Sequence, residues 1–149
     1  MRLSTMTEDL YADPEVCQAI LMDYYKNPRC AGVCEPASHA AEASNPSCGD
    51  IVRLSFQIED DRILQARTTG AGCAVSQAAA SLMVEQLEGK SLMEASCLLK
   101  DYEKLLSRTG GNAAVLDRLL ALRMIAANPA RVRCAQVAGE AAGRALRLA

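Results

Sequence analysis

The stretch IVRLSFQIEDDRILQARTTGAGCAVSQAAASLM, residues 51–83, decides the fold of this chain. Apolar and polar residues alternate over 51–59, which predicts a half-buried β-strand. The charged run at 59–62 predicts a turn, and a second strand follows over 63–69. Two glycines then end the strand pattern, and the alanine-rich run after Cys73 predicts a helix. A β-hairpin that leads directly into a helix indicates an α+β domain.

Helices and one further strand are predicted on either side of this stretch. An N-cap followed by proline at Asp13-Pro14 and a capping box from Ser91 to Glu94 mark two helix starts. The order predicts a small antiparallel sheet of about three strands packed against a cluster of helices. The flanking elements are a helix from Pro14 to before Asn27, a short strand over 38–43, a C-cap of the Cys73 helix at Gly89, a helix from Ser91 to before Gly110, a helix over 113–127 and a last helix from about Ala130.

The composition excludes several classes of function. Half of the 149 residues are hydrophobic, so we expect a packed core, and the net charge of -2 argues against a nucleic-acid binder. No stretch approaches the length of a membrane span, and the first residues lack the apolar segment of a secretory signal. We therefore expect a cytoplasmic protein without nucleic-acid or membrane partners. Its expected parts are a flexible leader over 1–12 and a single domain over 13–149.

Three of the seven cysteines are candidate ligands, and each has a second interpretation. Cys48, in NPSCGD (45–50), lies on a predicted loop near Asp50, whose carboxylate is either a ligand or a turn cap. Cys73 lies at a helix start, where free amides stabilise a thiolate, or is a small buried residue at a corner. Cys134 lies on the apolar face of the last helix, where core packing is the alternative.

Taken together, these residues favour a metal site. Three sulfurs and one carboxylate oxygen can converge from three separate elements into a four-coordinate set that suits Zn²⁺, and thiolate-rich sites also suit iron–sulfur chemistry. Arg131 and Arg133 precede Cys134 and are candidate accessory residues. They can stabilise a thiolate by charge or help a partner to dock, or they can belong to a solvated helix face.

The remaining cysteines are expected to have other roles. Cys17 lies on the apolar stripe of its helix and is predicted to be core, whereas Cys97 lies off its stripe and is predicted to be partly exposed. Cys30 and Cys34 are spaced like metal ligands, and His39 is close enough in sequence to join them. The sequence leaves open whether they form a second metal site or are exposed loop thiols.

Four stretches carry a family resemblance: YKNPR (25–29), NPSCGD (45–50), GAGCAVSQAAASLM (70–83) and PARVRCA (129–135). They resemble the IscU/NifU-type iron–sulfur cluster assembly proteins, over about residues 15–147. The branch that resembles this chain most is SufU. Arg133 stands where IscU-type scaffolds usually have histidine, and an extra helical segment around 101–127 is typical of SufU. Two thiols, Cys30 and Cys34, and an alanine-rich early strand depart from the family pattern.

The resemblance implies a SufU/IscU-like fold and a ligand set of Cys48, Asp50, Cys73 and Cys134. It further implies bound zinc and a partnership with a pyridoxal-phosphate cysteine desulfurase of the SufS type and with other iron–sulfur assembly proteins. Our hypothesis is that the desulfurase supplies a replacement ligand, and that Cys48, once released, attacks the persulfide. Cys48 is the candidate catalytic residue because a loop followed by glycine moves more readily than a helix.

Two other functions use the same residues. A scaffold would bind iron or a transient [2Fe-2S] cluster on these cysteines and would not be an enzyme, and a purely structural zinc module would have no activity with a partner. The sequence favours sulfur transfer through the missing histidine, and it leaves the oligomeric state and the final sulfur acceptor open.

Overall fold

The computed structural model describes residues 10–147. One helix, a three-stranded antiparallel sheet and a set of helices follow one another, which confirms the predicted α+β class. The elements are α1 (Pro14–Lys26), β1 (His39–Asn45), β2 (Asp50–Glu59), β3 (Arg62–Ala71), α2 (Ala74–Leu87), α3 (Leu92–Leu106), the single turn α4 (Ala113–Leu116), a 3₁₀ segment (Asp117–Ala127) and α5 (Pro129–Leu146).

The sheet has the order β1-β2-β3 and turns one face toward the helices. Val52, Leu54 and Phe56 of β2 are buried, as their alternation predicted. Ser55, on the opposite face, is buried as well, because the loop before β1 covers it and the backbone amide of Cys34 donates to its hydroxyl over 3.0 Å. The alanine-rich β1 is an edge strand, and its small side chains allow α5 to pack closely against it.

The central element of the domain is α2. It contacts α1, α5 and two strands of the sheet, and nine of its 14 residues are buried, so its sequence is apolar on nearly every face. Among residues 10–147, no helix is both long and apolar enough to cross a bilayer.

The helix starts follow the predicted caps. The Asp13 carboxylate accepts a hydrogen bond from the backbone amide of Glu15, and Ser91 and Glu94 make both bonds of the capping box. The side chain of Asn128 caps α5 in the same way, by accepting from two backbone amides of its first turn.

The prediction of one continuous helix over 113–127 is wrong in its geometry. Only one α-helical turn forms there, and Asp117, at φ +48°, leads into a 3₁₀ segment over the remaining residues. The buried side chains at 119–122 are consecutive, because the segment lies among four helices, α1, α2, α3 and α5.

The predicted leader lies mostly outside the described residues, which begin at position 10. Tyr11, near its end, is buried in the core, and its backbone carbonyl accepts a hydrogen bond from the Cys17 thiol over 3.2 Å. Cys17 is itself buried on α1, so its prediction as a core residue is confirmed.

Candidate metal centre

The register of the sheet places three chain segments at one end of the domain. Asn45 at the end of β1 pairs with Asp50 at the start of β2, and Ile51 pairs with Ala71 at the end of β3. The β1–β2 turn and the start of α2 therefore lie side by side, and the first turns of α5 pack against β1 and β2 close to them. Chain segments that are far apart in sequence meet at this end.

Three of the four predicted ligands form one group. Each of Cys48, Asp50 and Cys134 offers a ligand atom within 4.8 Å of the other two. The Sγ atoms of Cys48 and Cys134 lie 3.7 Å apart. Cys48 is exposed on the turn, whereas Asp50 and Cys134 are fully buried, so the group opens to solvent on the side of Cys48 alone.

The fourth predicted ligand, Cys73, borders this group without joining it. Its side chain is the N-cap of α2, and its Sγ accepts a hydrogen bond from the backbone amide of Ser76 over 3.5 Å. In this position the Cys73 sulfur does not lie within 4.8 Å of all three ligand atoms of Cys48, Asp50 and Cys134. Its backbone amide nevertheless donates to the Asp50 carboxylate over 2.9 Å, so Cys73 is a direct neighbour of the group.

The two oxygens of the Asp50 carboxylate differ in their surroundings. Oδ1 accepts from the Cys73 amide and from the Ser76 hydroxyl, which lies 3.1 Å away. Oδ2 is buried and has no hydrogen-bond partner among the described residues. Burial works against the charged carboxylate, but the hydrogen bond from the Cys73 amide, together with the neighbouring Cys134, Ser76 and Cys73 side chains, outweighs it and lowers the pKa of Asp50. Asp50 is therefore an ionised carboxylate with one oxygen free of hydrogen bonds.

The pKa of the Cys134 thiol is shifted in the opposite direction to that of Asp50. Burial, followed by its interactions with Asp50, Cys73 and Cys48, raises the pKa of Cys134 well above its ordinary value. The side-chain amide of Asn45 approaches its sulfur to 3.9 Å. Without a cation, a protonated thiol thus lies beside a carboxylate, and a divalent cation would remove that proton by binding the sulfur.

These observations fit a bound metal ion. A buried, ionised carboxylate oxygen without a hydrogen-bond partner is costly, and coordination of a cation would satisfy it. Sulfur from two cysteines, oxygen from Asp50 and a third sulfur next to them form a donor set that suits Zn²⁺ and also iron–sulfur chemistry. Next to Cys48, a Cβ built on Gly49 would meet no atom within 4 Å, so the turn is open on the exposed side of the group.

The candidate accessory arginines lie on the exposed face of α5. The guanidinium of Arg133 donates to Glu140 over 2.7 Å and to Gln136 over 3.0 Å, both further along the helix. It is therefore paired with a carboxylate, and its charge is directed along α5. Arg131 takes part in the cap of α5 through its backbone amide, which donates to Asn128.

The second thiol site that the sequence left open does not assemble. Among residues 10–147, the group of metal-ligating side chains that converges is the one at Cys48, and Cys30, Cys34 and His39 form no such group. Cys34 is buried, with its thiol donating to the backbone carbonyl of Ser55, and His39 shares a hydrogen bond with the hydroxyl of Ser38. Cys97 is exposed on α3.

Two residues around the group were not singled out from the sequence. Asn45 contacts the sulfur of Cys134, and Ser76 contacts Asp50 and the backbone of Cys73. The signal for Asn45 is its place in NPSCGD, three residues before Cys48. The signal for Ser76 was its position three residues after an N-cap, which puts its side chain beside the first turn of the helix.

Comparison with known proteins gives the class first: the similar proteins include iron–sulfur cluster assembly scaffold proteins. The chain belongs to the NifU-like N terminal domain family, whose model matches residues 17–126. The predicted resemblance to IscU- and SufU-type proteins is thereby confirmed.

Three relatives illustrate the match. The zinc-dependent sulfurtransferase SufU of Bacillus subtilis is 32% identical over 123 residues, 82% of this chain and 83% of that protein. The iron–sulfur cluster assembly scaffold protein IscU of Thermotoga maritima is 32% identical over 114 residues, 76% of this chain and 80% of its own. The crystal structure of FiSufU from Fervidobacterium islandicum AW-1 has a TM-score of 0.82 at 33% identity and covers 85% of this chain and 93% of that one.

Proposed function

We propose that this chain is a zinc-dependent sulfurtransferase of cytoplasmic iron–sulfur cluster assembly, which accepts persulfide sulfur on Cys48 from a pyridoxal-phosphate cysteine desulfurase of the SufS type. The observation that carries the proposal is the unequal exposure of two thiols 3.7 Å apart. Cys48 is exposed on a turn, whereas Cys134 is buried within α5. A partner protein can therefore reach Cys48 while Cys134 stays inside the fold.

The proposed zinc ligands are Cys48, Asp50, Cys73 and Cys134. Cys73 would join the other three if its sulfur left the Ser76 amide, and Asp50 would contribute its free oxygen. A bound zinc ion keeps thiols deprotonated at neutral pH, which is the form in which sulfur is a nucleophile.

The transfer step needs no oxidant or reductant. The thiolate of Cys48 attacks the outer sulfur of the desulfurase persulfide, so that a new S–S bond forms as the partner's S–S bond breaks. The electron pair of the broken bond leaves with the cysteine of the partner as its thiolate. Cys48 then carries the sulfur for delivery to other iron–sulfur assembly proteins.

The turn that carries Cys48 suits this role. Gly49 has φ +71°, and a Cβ built there would meet no atom within 4 Å. Glycine adopts such a conformation without strain, and the free space around it lets the turn change shape as a partner docks. Cys134 has neither a glycine beside it nor open space around it, since it is buried within a helix.

A comparison of Cys48→Ser with Cys97→Ser tests the proposal. Both cysteines are exposed, but Cys97 lies on α3 outside the metal group. With a SufS-type desulfurase and cysteine, we expect wild type and Cys97→Ser to accelerate alanine formation and to gain the mass of one sulfur atom. We expect Cys48→Ser to lose both effects. Equal acceleration by Cys48→Ser would refute transfer through this thiol.

The scaffold function is the second candidate, because three thiols and a carboxylate also suit an iron–sulfur cluster and because the Thermotoga maritima relative is named a scaffold. Anaerobic purification followed by metal analysis separates the two. Stoichiometric zinc supports sulfur transfer, whereas a [2Fe-2S] cluster that passes intact to an apo-protein supports the scaffold. A structural zinc module would instead show zinc without any effect on a desulfurase.

A further inference from the structure

Asp50 differs from the cysteine ligands in that it offers two atoms to a metal, and its surroundings decide which one is free. The backbone amide of Cys73 donates to Oδ1 over 2.9 Å, and the hydroxyl of Ser76 lies 3.1 Å from the same oxygen. Oδ2 is buried and has no hydrogen-bond partner within residues 10–147. Both hydrogen bonds thus fall on one oxygen and leave the other available.

The hydroxyl of Ser76 is itself oriented by its neighbours. Ser76 is fully buried in the first turn of α2, and its one proton has two acceptors at 3.1 Å, Asp50 Oδ1 and the backbone carbonyl of Cys73. The side-chain amide of Gln77 donates to the same hydroxyl oxygen over 3.1 Å and to the carbonyl of Ile51 over 3.3 Å. The geometry therefore lets the Ser76 hydroxyl donate to Asp50 Oδ1 while the Gln77 amide donates to the hydroxyl oxygen.

Removal of this hydroxyl would free the carboxylate to rotate. Oδ1 would keep only the bond from the Cys73 amide, and a single bond does not fix the rotation of the carboxylate group about its Cβ–Cγ axis. Both oxygens would then compete for that amide, and the oxygen ligand would no longer be held ready for the metal. Groups that orient a ligand in this way typically change metal affinity by about 10- to 100-fold when they are removed.

We infer that Ser76 is a positioning residue of the metal centre: its hydroxyl holds Oδ1 of Asp50, so that Oδ2 is presented as the single oxygen ligand beside the cysteine sulfurs. The inference rests on the proposed metal site. It assigns Ser76 no contact with the metal or with sulfur that is being transferred. Gln77 supports the arrangement by donating to the Ser76 hydroxyl oxygen.

The first test compares the zinc affinity of Ser76→Ala with that of Ser81→Ala, by competition with a chromophoric chelator. Ser81 is a matched control, because it is also buried on α2 but exchanges hydrogen bonds with the backbone of Arg29, away from the metal group. We expect Ser76→Ala to bind zinc about tenfold more weakly and Ser81→Ala to bind it like wild type. Gln77→Ala, at a half-buried side chain, is the second variant, with a severalfold loss expected.

The second test asks whether Ser76 acts through Asp50. In an Asp50→Ala background, Ser76→Ala should cause no additional loss of zinc affinity, because the residue that it positions is gone. X-ray absorption on the zinc-loaded proteins supplies a structural readout. We expect three sulfur ligands and one oxygen ligand in wild type, and a weakened or missing oxygen contribution in Ser76→Ala with the sulfur ligands unchanged.

The outcomes separate this inference from the proposed metal site. Wild-type protein that binds zinc through sulfur and oxygen, together with Ser76→Ala and Gln77→Ala variants of unchanged affinity, would overturn the role of Ser76 alone. An equal loss in the wild-type and Asp50→Ala backgrounds would also overturn it, since Ser76 would then act on the helix or the thiols. Wild-type protein that binds no zinc would instead overturn the metal site.

Discussion

At the scale of single residues, the hydrogen bond from the Cys73 amide to the Asp50 carboxylate depends on how closely the neighbouring backbone can approach Asp50. Gly72 lies next to it, and a Cβ built on Gly72 would fall 2.4 Å from Asp50 Oδ1 and 2.8 Å from Asp50 Cα. Gly72 also has φ +144°, a backbone conformation that favours glycine. This position therefore permits the amide of Cys73 to reach the carboxylate.

We predict that Gly72→Ala destabilises the protein and weakens metal binding. The new methyl group must displace the Asp50 backbone or its carboxylate, and such overpacking costs about 1–3 kcal/mol in addition to backbone strain. Urea unfolding of the metal-free protein measures the first effect, and chelator competition measures the second.

Gly110→Ala is the control for this prediction. Gly110 has φ +133°, similar to that of Gly72, but a Cβ built there would meet nothing within 4 Å. Its substitution therefore carries the backbone strain without the collision. Equal losses of stability in the two variants, with unchanged metal affinity, would show that the approach to Asp50 does not matter.

At the scale of elements, Tyr24 connects three helical segments. It lies on α1, is buried, and donates its hydroxyl proton to Glu85 on α2. Arg118, in the 3₁₀ segment, donates to the same hydroxyl oxygen over 2.7 Å. Burial, followed by the hydrogen bond to Glu85, raises the pKa of Tyr24, so the phenol stays protonated and keeps both bonds. The guanidinium of Arg29 lies over its ring at 4.1 Å.

We predict that Tyr24→Phe lowers the free energy of unfolding by about 1–3 kcal/mol, because Glu85 loses a donor in a partly buried position. Tyr25→Phe is the matched control, since Tyr25 is the next residue on the same helix and is exposed. Its loss should be within about 0.5 kcal/mol. Urea denaturation of both variants gives the comparison, and equal stabilities would contradict a structural role for the Tyr24 hydroxyl.

At the scale of the whole molecule, the metal group joins parts of the chain that are distant in sequence. The β1–β2 turn, the start of β2 and α5 contribute the converging ligands, and the start of α2 contributes the neighbouring Cys73. An ion bound to all of them would bind the folded chain and not the unfolded one, because the unfolded chain does not hold these atoms together.

We predict that removal of zinc lowers the melting temperature. Free zinc at 100 times its dissociation constant would stabilise the folded state by about 2.7 kcal/mol. Differential scanning calorimetry with and without a strong chelator measures the change. Cys48→Ser should lose most of the zinc-dependent stabilisation while its metal-free form melts like the wild type, because Cys48 is exposed. Identical melting of zinc-loaded and metal-free wild type would contradict the prediction.

Local patterns predicted the elements well where one signal dominated. The alternation over 51–59, the Asp13 cap and the Ser91–Glu94 box each act within a few residues, and each led to the observed element. The 3₁₀ segment was missed because its winding depends on the helices around it, which no local pattern contains.

The sequence by itself determined the α+β class, the family and the residue types of the candidate site, because strand periodicity, helix caps and ligand chemistry are properties of short stretches. Only the tertiary structure decided which ligand atoms are exposed to solvent and which lack a hydrogen-bond partner. It put Cys48 at the surface and Cys134 in the core, turned the Cys73 sulfur onto the end of α2, and left Oδ2 of Asp50 without a hydrogen-bond partner among the described residues. The physical reason is that exposure and hydrogen bonding depend on neighbours that the fold brings from distant parts of the chain.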